Sequence, residues 1–436
     1  KEENIKVVEN KNEEEYLKEA FAFAADFKDE TVSIDDIEGK KARIAYIKLV
    51  GLTQKQVELY KSYNEYRDYT RVVYSNDGFT DFFWGKCGSV EELENLAVDS
   101  VKDAGGGEVN FQVGTTGLLN YNSKYAGNAF EDSYKYDEFI RNGDKRAREQ
   151  ILNILSTGKS PLEIIAKRGK EKGLRVQASL RMNAFYNSTA TMFLNGKMYG
   201  EYENCKQNNS PSLSYYYSDY RQYILNVLKE IASFENVDYI NLDFCRYPTV
   251  IGSEASQQEK IKIMNDFMRK VRIELPHEKI SVRVPYLNTL SYGLDVETWV
   301  KEGLIDRLIP SSISYEDFYD IDKFKDMVKD TKVELYIGIT ANLKGKDPTK
   351  ETENSINEGT SLPENEYLSV EDYLARAHEA YEAGADGIFL FNTLNEIDFT
   401  KDYSPKFKLL GDKIKVKRWY EFEYPSYLIH DKVKTQ

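Results

Sequence analysis

The chain has 436 residues, 41% of them hydrophobic and 30% charged, enough to bury one large core with appendages. Its 59 basic and 73 acidic residues leave a net charge of −14, which argues against nucleic acid or an anionic membrane surface as partner. Three scattered cysteines (Cys87, Cys205, Cys245) exclude a disulfide scaffold or cysteine-rich zinc site, and no apolar run is long enough for a transmembrane helix.

Residues 1–66 read as an N-terminal α/β extension, with helical patterns over 10–27 and 54–66 and an alternating, strand-like stretch over 42–50. The chain begins with Lys1 rather than Met, so the expected location is extracellular or at the cell surface, a leader having been cleaved. From residue 67 a rhythm of apolar run, polar loop and amphipathic helix sets in. The apolar runs are 71–74, 108–113, 175–180, 239–242, 279–282, 305–309, 332–337 and 385–391. Between them, Ser89 opens a helix with Glu91 and Glu92 in its first turn, Pro161 starts one that Gly173 closes, and Ser369 caps another. Further helical patterns cover 221–234, 256–275, 296–303 and 322–330. The segments after the second and third runs are long, polar loops, of the kind that carry function.

Eight strands alternating with helices over residues 67–412 predict an α/β fold, a (β/α)8 TIM barrel with enlarged βα loops. A doubly wound sheet would carry a Gly-rich turn after its first strand. The one glycine cluster, Gly105-Gly106-Gly107, precedes a strand instead, and no Walker or GxGxxG pattern occurs, so no cofactor is expected. Residues 413–436 alternate like a short C-terminal β tail packed on the barrel.

A barrel brings all its strand ends to one face. The fourth run ends Asn241-Leu242-Asp243-Phe244-Cys245-Arg246-Tyr247-Pro248, placing Asp243 at the carboxyl end of a buried strand. The other ends offer Asn76, Asp77, Arg181, Asn183, Arg283, Tyr286, Ser314, Tyr315, Glu316, Asn342, Asn392 and Glu396. His277, His378 and His430 fall at none of them, which excludes a histidine triad and histidine-ligated zinc. Amides, carboxylates and arginines suit a polyhydroxylated ligand, and 33 tyrosines with 21 phenylalanines supply either core packing or surfaces for sugar rings. Asp243, held ionised by Arg246 or Arg283, is the expected nucleophile or base of a two-carboxylate glycosidase. Glu316, among aromatic neighbours, is the first choice for its acid partner and Glu396 the second. The arginines either receive an anionic sugar or pair with site carboxylates. An oxygen-only metal site of Asp77, Asp243 and Glu396 lacks a supporting motif, and no metal is expected.

Three segments carry a family resemblance: Asn76-Asp77-Gly78, Leu180-Arg181-Met182-Asn183, and the 240–248 strand end. Residues 293–310 and 384–392 add to it. The region from about 70 to 395 resembles the glycosyl-hydrolase-10-like (β/α)8 families of bacterial proteins. The resemblance implies a glycoside hydrolase of carbohydrate metabolism, with a carbohydrate substrate and the family's acid on Asp243. Family-10 xylanases carry Asn-Glu after strand four and Glu after strand seven, where this chain has Asp243 and Asn342. Against hydrolysis stand a non-catalytic carbohydrate-binding barrel and a metal-assisted carboxylate enzyme such as a lyase.

Overall fold

The computed structural model describes residues 21–28, 31, 47–62, 70–130, 141–188, 191–313, 315, 320–345, 349–358, 366–393 and 405–424. Eight parallel strands close on themselves: β1 Val72–Asn76, β2 Glu108–Gln112, β3 Arg175–Arg181, β4 Tyr239–Asp243, β5 Ile280–Pro285, β6 Arg307–Ser311, β7 Glu334–Thr340 and β8 Gly387–Phe391. Each pairs with its neighbours in sequence, and β8 returns to β1 through Val72–Ile388 and Val73–Phe389. This is the (β/α)8 barrel expected, with each strand within a few residues of its apolar run.

The strands are buried on both faces, but the two faces differ in chemistry. Outward residues such as Val109, Phe111, Leu180, Ile240, Leu242, Val282 and Ile388 join the main apolar core beneath the helices. Inward, Val73, Ile309, Tyr336, Phe389 and Phe391 form a separate apolar cluster on the β1, β6, β7 and β8 side. The β2–β5 side is polar. Ser179 Oγ donates to Asn241 Oδ1 at 2.8 Å, Asn241 Nδ2 to Ser281 Oγ at 2.7 Å, and Ser281 Oγ to Gln177 Oε1 at 2.6 Å. Such a ladder is stable inside a barrel because each member finds a partner there.

At the amino-terminal end of the strands, Arg307 is fully buried between the rings of Tyr239 and Tyr336, 4.1 and 4.0 Å from their centroids. It bonds to Glu108 at 2.8 Å and to Glu334 at 2.7 Å, while Arg175 reaches Glu108 at 3.0 Å. The network joins β2, β3, β4, β6 and β7 and plugs the floor of the barrel.

Serine capping boxes start the helices Val90–Glu94, Pro161–Lys172, Gln257–Glu274 and Val370–Glu382, and Gly173 closes the second at φ +68°. Two helices arise in segments without a predicted element. Asn142–Ser156 follows β2, and Lys350–Asn357 follows β7 beside a small antiparallel pair, Asn342–Lys344 with Glu366–Tyr367. The first has no side-chain cap, and its opening Asn-Gly looks like a turn. Gly143 is there because an added Cβ would lie 2.4 Å from the Phe83 ring. Glu353 ties the two excursions together, accepting from Asn142 N at 2.9 Å and Arg146 Nη2 at 3.1 Å.

The C-terminal segment corrects the β-tail expectation. Lys413–Phe422 is a helix, capped by Asp412, whose carboxylate accepts from Ile414 N and Lys415 N. Its buried residues, Val416, Trp419 and Phe422, recur every three positions, so the helical period prevails over the local alternation. It lies along Val370–Glu382, with the Tyr420 and His378 rings stacked at 3.7 Å. The helix Gln54–Ser62 packs beside it through Tyr60, Phe422 and Arg418. In the N-terminal extension, residues 21–27 are not helical. Residues 47–50 are exposed and pair with no strand among the described residues, so alternation there has no face to bury. Residues 10–20 and 42–46 lie outside the described residues. No helix of the described residues is long and apolar enough to cross a membrane.

Removing Arg307 leaves the buried Glu108 carboxylate without that partner, so Arg307→Leu should lower unfolding free energy by about 3–5 kcal/mol, read from the denaturant midpoint. Burial alone would raise the Glu334 carboxyl, but the Arg307 charge and hydrogen bonds from Arg307 and Tyr239 outweigh it and hold it below its ordinary value. Its contribution is therefore full above the unfolded carboxyl value of about 4.3 and is lost as pH falls through the lowered folded value. Thermal melts of wild type against Glu334→Gln should show a shallower acid loss in the variant.

Candidate active site

The parallel register sets Arg181, Asp243 and Arg283 side by side at the carboxyl ends of β3, β4 and β5. Alternation turns all three toward the interior, two residues above Ser179, Asn241 and Ser281 of the polar ladder. Asp243 is held from three directions. Gln112 Nε2 donates to Oδ2 at 2.7 Å, Cys245 N donates to Oδ1 at 2.9 Å, and Arg283 Nη1 reaches both oxygens at 3.2 and 3.3 Å. Both charged side chains are only 1% exposed.

Arg283 is itself seated by strands β4, β6 and β8. Its Nη2 donates to Ser311 Oγ at 2.9 Å and Ser312 O at 3.1 Å, and its guanidinium lies 3.8 Å from the centroid of the Phe391 ring. Gly338 on β7 makes room for Ser311, since a Cβ there would approach the serine side chain to 2.5 Å. Gly78, at φ +67°, brings the turn after β1 against the Gln112 carbonyl, where a Cβ would sit at 1.9 Å.

Of the two cations expected beside Asp243, Arg283 makes the bond. Arg246, three residues downstream, has its guanidinium 5.8 Å from the Tyr247 ring centroid. Cys245 is buried, and burial pushes its thiol up to about 12, with Arg283 lowering and Asp243 raising it, so it does not serve as a thiolate.

The remaining sequence candidates divide by what they hold. Asp77 spends its carboxylate on capping: Oδ1 accepts from Phe79 N and Thr80 N, and Oδ2 from Thr80 Oγ1 at 2.6 Å. Asn76 bonds to Asp81 at 2.8 Å and to Gly78 N at 2.8 Å. Asn183 Nδ2 donates to the Tyr247 and Thr249 carbonyls at 3.3 and 2.8 Å, which fastens the loop after β4 to the loop after β3. Tyr286 is buried, donating to Gly338 O at 3.0 Å. Tyr315 is exposed and reaches Gly345 O at 2.6 Å. Asn392 follows β8 in the left-handed region, φ +59°, which asparagine tolerates. Ser314, Glu316 and Glu396 lie outside the described residues.

Gln112 and Ser311 are the members that sequence reasoning passes over. The signal for Gln112 is the run Glu108, Asn110, Gln112, polar at every second position of a strand buried on both faces. Among the described residues, three buried acceptors at these strand ends have no donor: Gln112 Oε1, Asn183 Oδ1 and Asn342 Oδ1. The Gln112 amide cannot be reversed to relieve this, because its oxygen would then face the Asp243 carboxylate. Buried acceptors left unpaired cost about 1–3 kcal/mol each, so these oxygens are places for a donor, whether an ordered water or a ligand hydroxyl.

Fold and site together define a (β/α)8 barrel whose mouth carries an arginine-held carboxylate, with unpaired amide acceptors at or just past the ends of β2, β3 and β7. No family model and no curated protein sequence matches the chain. Among solved structures, it is similar to the Ostrinia furnacalis Group IV chitinase in complex with allosamidin, at 11% identity and TM-score 0.44, over 82% of this chain and 99% of that one. It is also similar to the endo-1,4-beta-mannanase from Rhizomucor miehei, at 8% identity and TM-score 0.44, over 75% and 87%. The noncanonic maltogenic alpha-amylase AmyB from Thermotoga neapolitana aligns at 12% identity and TM-score 0.41, over 81% and 76%.

Gly338→Ala should cost about 1–3 kcal/mol by displacing Ser311 from Arg283. Gly51→Ala, with nothing within 4 Å of the added carbon, should stay within about 0.5 kcal/mol in the same chemical denaturation series.

Proposed function

We propose that the protein is a glycoside hydrolase that cleaves a glycosidic bond in a polysaccharide or glycan, with Asp243 as nucleophile or base. The observation that carries this reading is the set of unpaired acceptors, Gln112 Oε1, Asn183 Oδ1 and Asn342 Oδ1, at the same carboxyl end of the barrel as an arginine-paired carboxylate. Sugar hydroxyls are donors of the kind these oxygens lack. Arg283 keeps the Asp243 charge compensated in a site walled from water, as the ionised member of a glycosidase pair requires. The second member, kept protonated, is Glu316 first and Glu396 second. The resemblance to glycosyl-hydrolase-10-like barrels supports the place of Asp243. Asn342 after β7 sets the chain apart from family-10 xylanases in the second carboxyl.

A second reading, a barrel that binds carbohydrate without cleaving it, is favoured by the full occupancy of both Asp243 oxygens and the 1% exposure of the side chain. A panel of neutral and charged glycans separates the two by release of reducing ends. Asp243→Asn should drop turnover by about 10²–10⁴-fold. Because it leaves Arg283 without its buried anion, the variant should also melt earlier, so activity is assayed where circular dichroism shows it folded. Unchanged turnover in that folded variant would overturn the assignment. Activity that chelator abolishes would transfer the site to metal-assisted chemistry.

A further inference from the structure

We infer that Arg181, with Tyr186 and Tyr247, forms a subsite for the anionic substituent of a sugar, a carboxylate or sulfate, next to the reacting centre. The inference rests on the glycan reading above and deepens it. Arg181 is the register neighbour of Asp243, yet Asp243 is already paired with Arg283. Arg141, Arg146, Arg168, Arg272 and Arg307 each hold a carboxylate. Arg181 has none among the described residues. Its hydrogen bond is a long one, 3.4 Å from Nη1 to the Tyr186 phenol, which leaves most of a five-donor fork uncommitted in a half-buried position.

The surroundings are built rather than incidental. Asn195, fully buried, grips Tyr186 on both sides of its peptide, accepting from Tyr186 N and donating to Tyr186 O, each at 2.8 Å. Asn183 holds the Tyr247 carbonyl, and Thr116 Oγ1 donates to the Arg181 carbonyl at 2.6 Å while accepting from Ala184 N. The two tyrosine rings meet edge to face, 5.9 Å apart at 82°, and Tyr247 remains 37% exposed. A fixed aromatic face beside an uncommitted guanidinium matches a sugar ring that stacks on its C–H side and carries an anion at its edge. The protein's net charge of −14 disfavours polyanions at long range. The preference therefore comes from contact with Arg181 and weakens as salt screens it.

The test is calorimetric titration of the full chain with galacturonate and glucuronate tetrasaccharides, their methyl esters, a sulfated neutral tetrasaccharide and deacetylated chitotetraose. The native protein should bind a uronate or the sulfated sugar at least about tenfold tighter than the uncharged counterpart. Arg181→Gln should bring the two to parity, the loss falling more heavily on the charged sugar than on its uncharged counterpart. Arg181→Lys should keep part of the preference, and Tyr247→Ala should weaken charged and neutral sugars alike. The carboxylate and sulfate arms tell the two anions apart. Equal native affinities, a preference that survives Arg181→Gln, or tighter binding of the amino sugar would each overturn the subsite. Cleavage of neutral glycans with no anion preference removes the subsite and leaves hydrolysis standing. Binding through Arg181 without cleavage does the reverse, and no binding to any sugar removes both.

Discussion

Two opposite charges, Asp243 and Arg283, face each other almost wholly out of water at the mouth of the barrel. Taking them there costs several kcal/mol per ion, and only close geometry with further hydrogen bonds offsets it. The fold supplies those bonds from β2, β4, β6 and β8: the Gln112 amide, the Cys245 peptide, the Ser311 and Ser312 oxygens, and the Phe391 ring. The pair thus links most of the circumference of the barrel and fixes the position of the candidate catalytic oxygen. A buried pair of this kind is weak evidence for stability, since hydrophobic residues would pack as well. Its retention at a strand-end mouth is better understood through the chemistry it holds in place.

The interior is graded along the barrel axis. Arg307 and its glutamates close the floor, a ladder of hydroxyls and amides crosses the middle of the β2–β5 side, and the Arg181, Asp243 and Arg283 row lies at the opening. The apolar cluster of Val73, Ile309, Tyr336, Phe389 and Phe391 fills the other half. Arginine stacking on aromatic rings occurs at both poles, over Tyr239 and Tyr336 below and Phe391 above, where the two halves meet. Weak hydration of guanidinium makes arginine suited to that boundary, and lysine would not lie flat there.

The architecture was legible because each strand is an outward apolar stripe whose length and spacing survive whatever faces inward. Asp243 was legible for the same reason, as a charge ending such a stripe. Its partners were less so. Arg246 is close in sequence, but the register places Arg283 alongside, and register belongs to the closed sheet rather than to any local run. Asp77 has the chemistry of a ligand contact, yet its oxygens are spent on the Phe79 and Thr80 peptides and the Thr80 hydroxyl, while Asn183 is divided between an amide nitrogen that fastens a loop and an oxygen left open to a donor. The tail shows the limit of alternation over a few residues. Ile414 and Val416 fit a strand, while the buried triplet of Val416, Trp419 and Phe422 and the Asp412 cap fit only a helix.

The contacts that seat the site span long stretches of chain. Gln112 and Asp243 are 131 positions apart, and Arg307 and Glu108 are 199 apart. The Arg307–Glu108 bond crosses the interior from β6 to β2 and so needs the sheet curled far round, whereas Gln112 and Asp243 lie on β2 and β4 with only β3 between them. A half-barrel of β1 to β4 emerging during synthesis would hold Glu108 with Arg175 alone and Asp243 without Arg283. The polar contacts of the charged mouth thus come from strands β2 to β6, neighbours in sequence, and ring closure adds the Phe391 ring above and the Arg307 floor below.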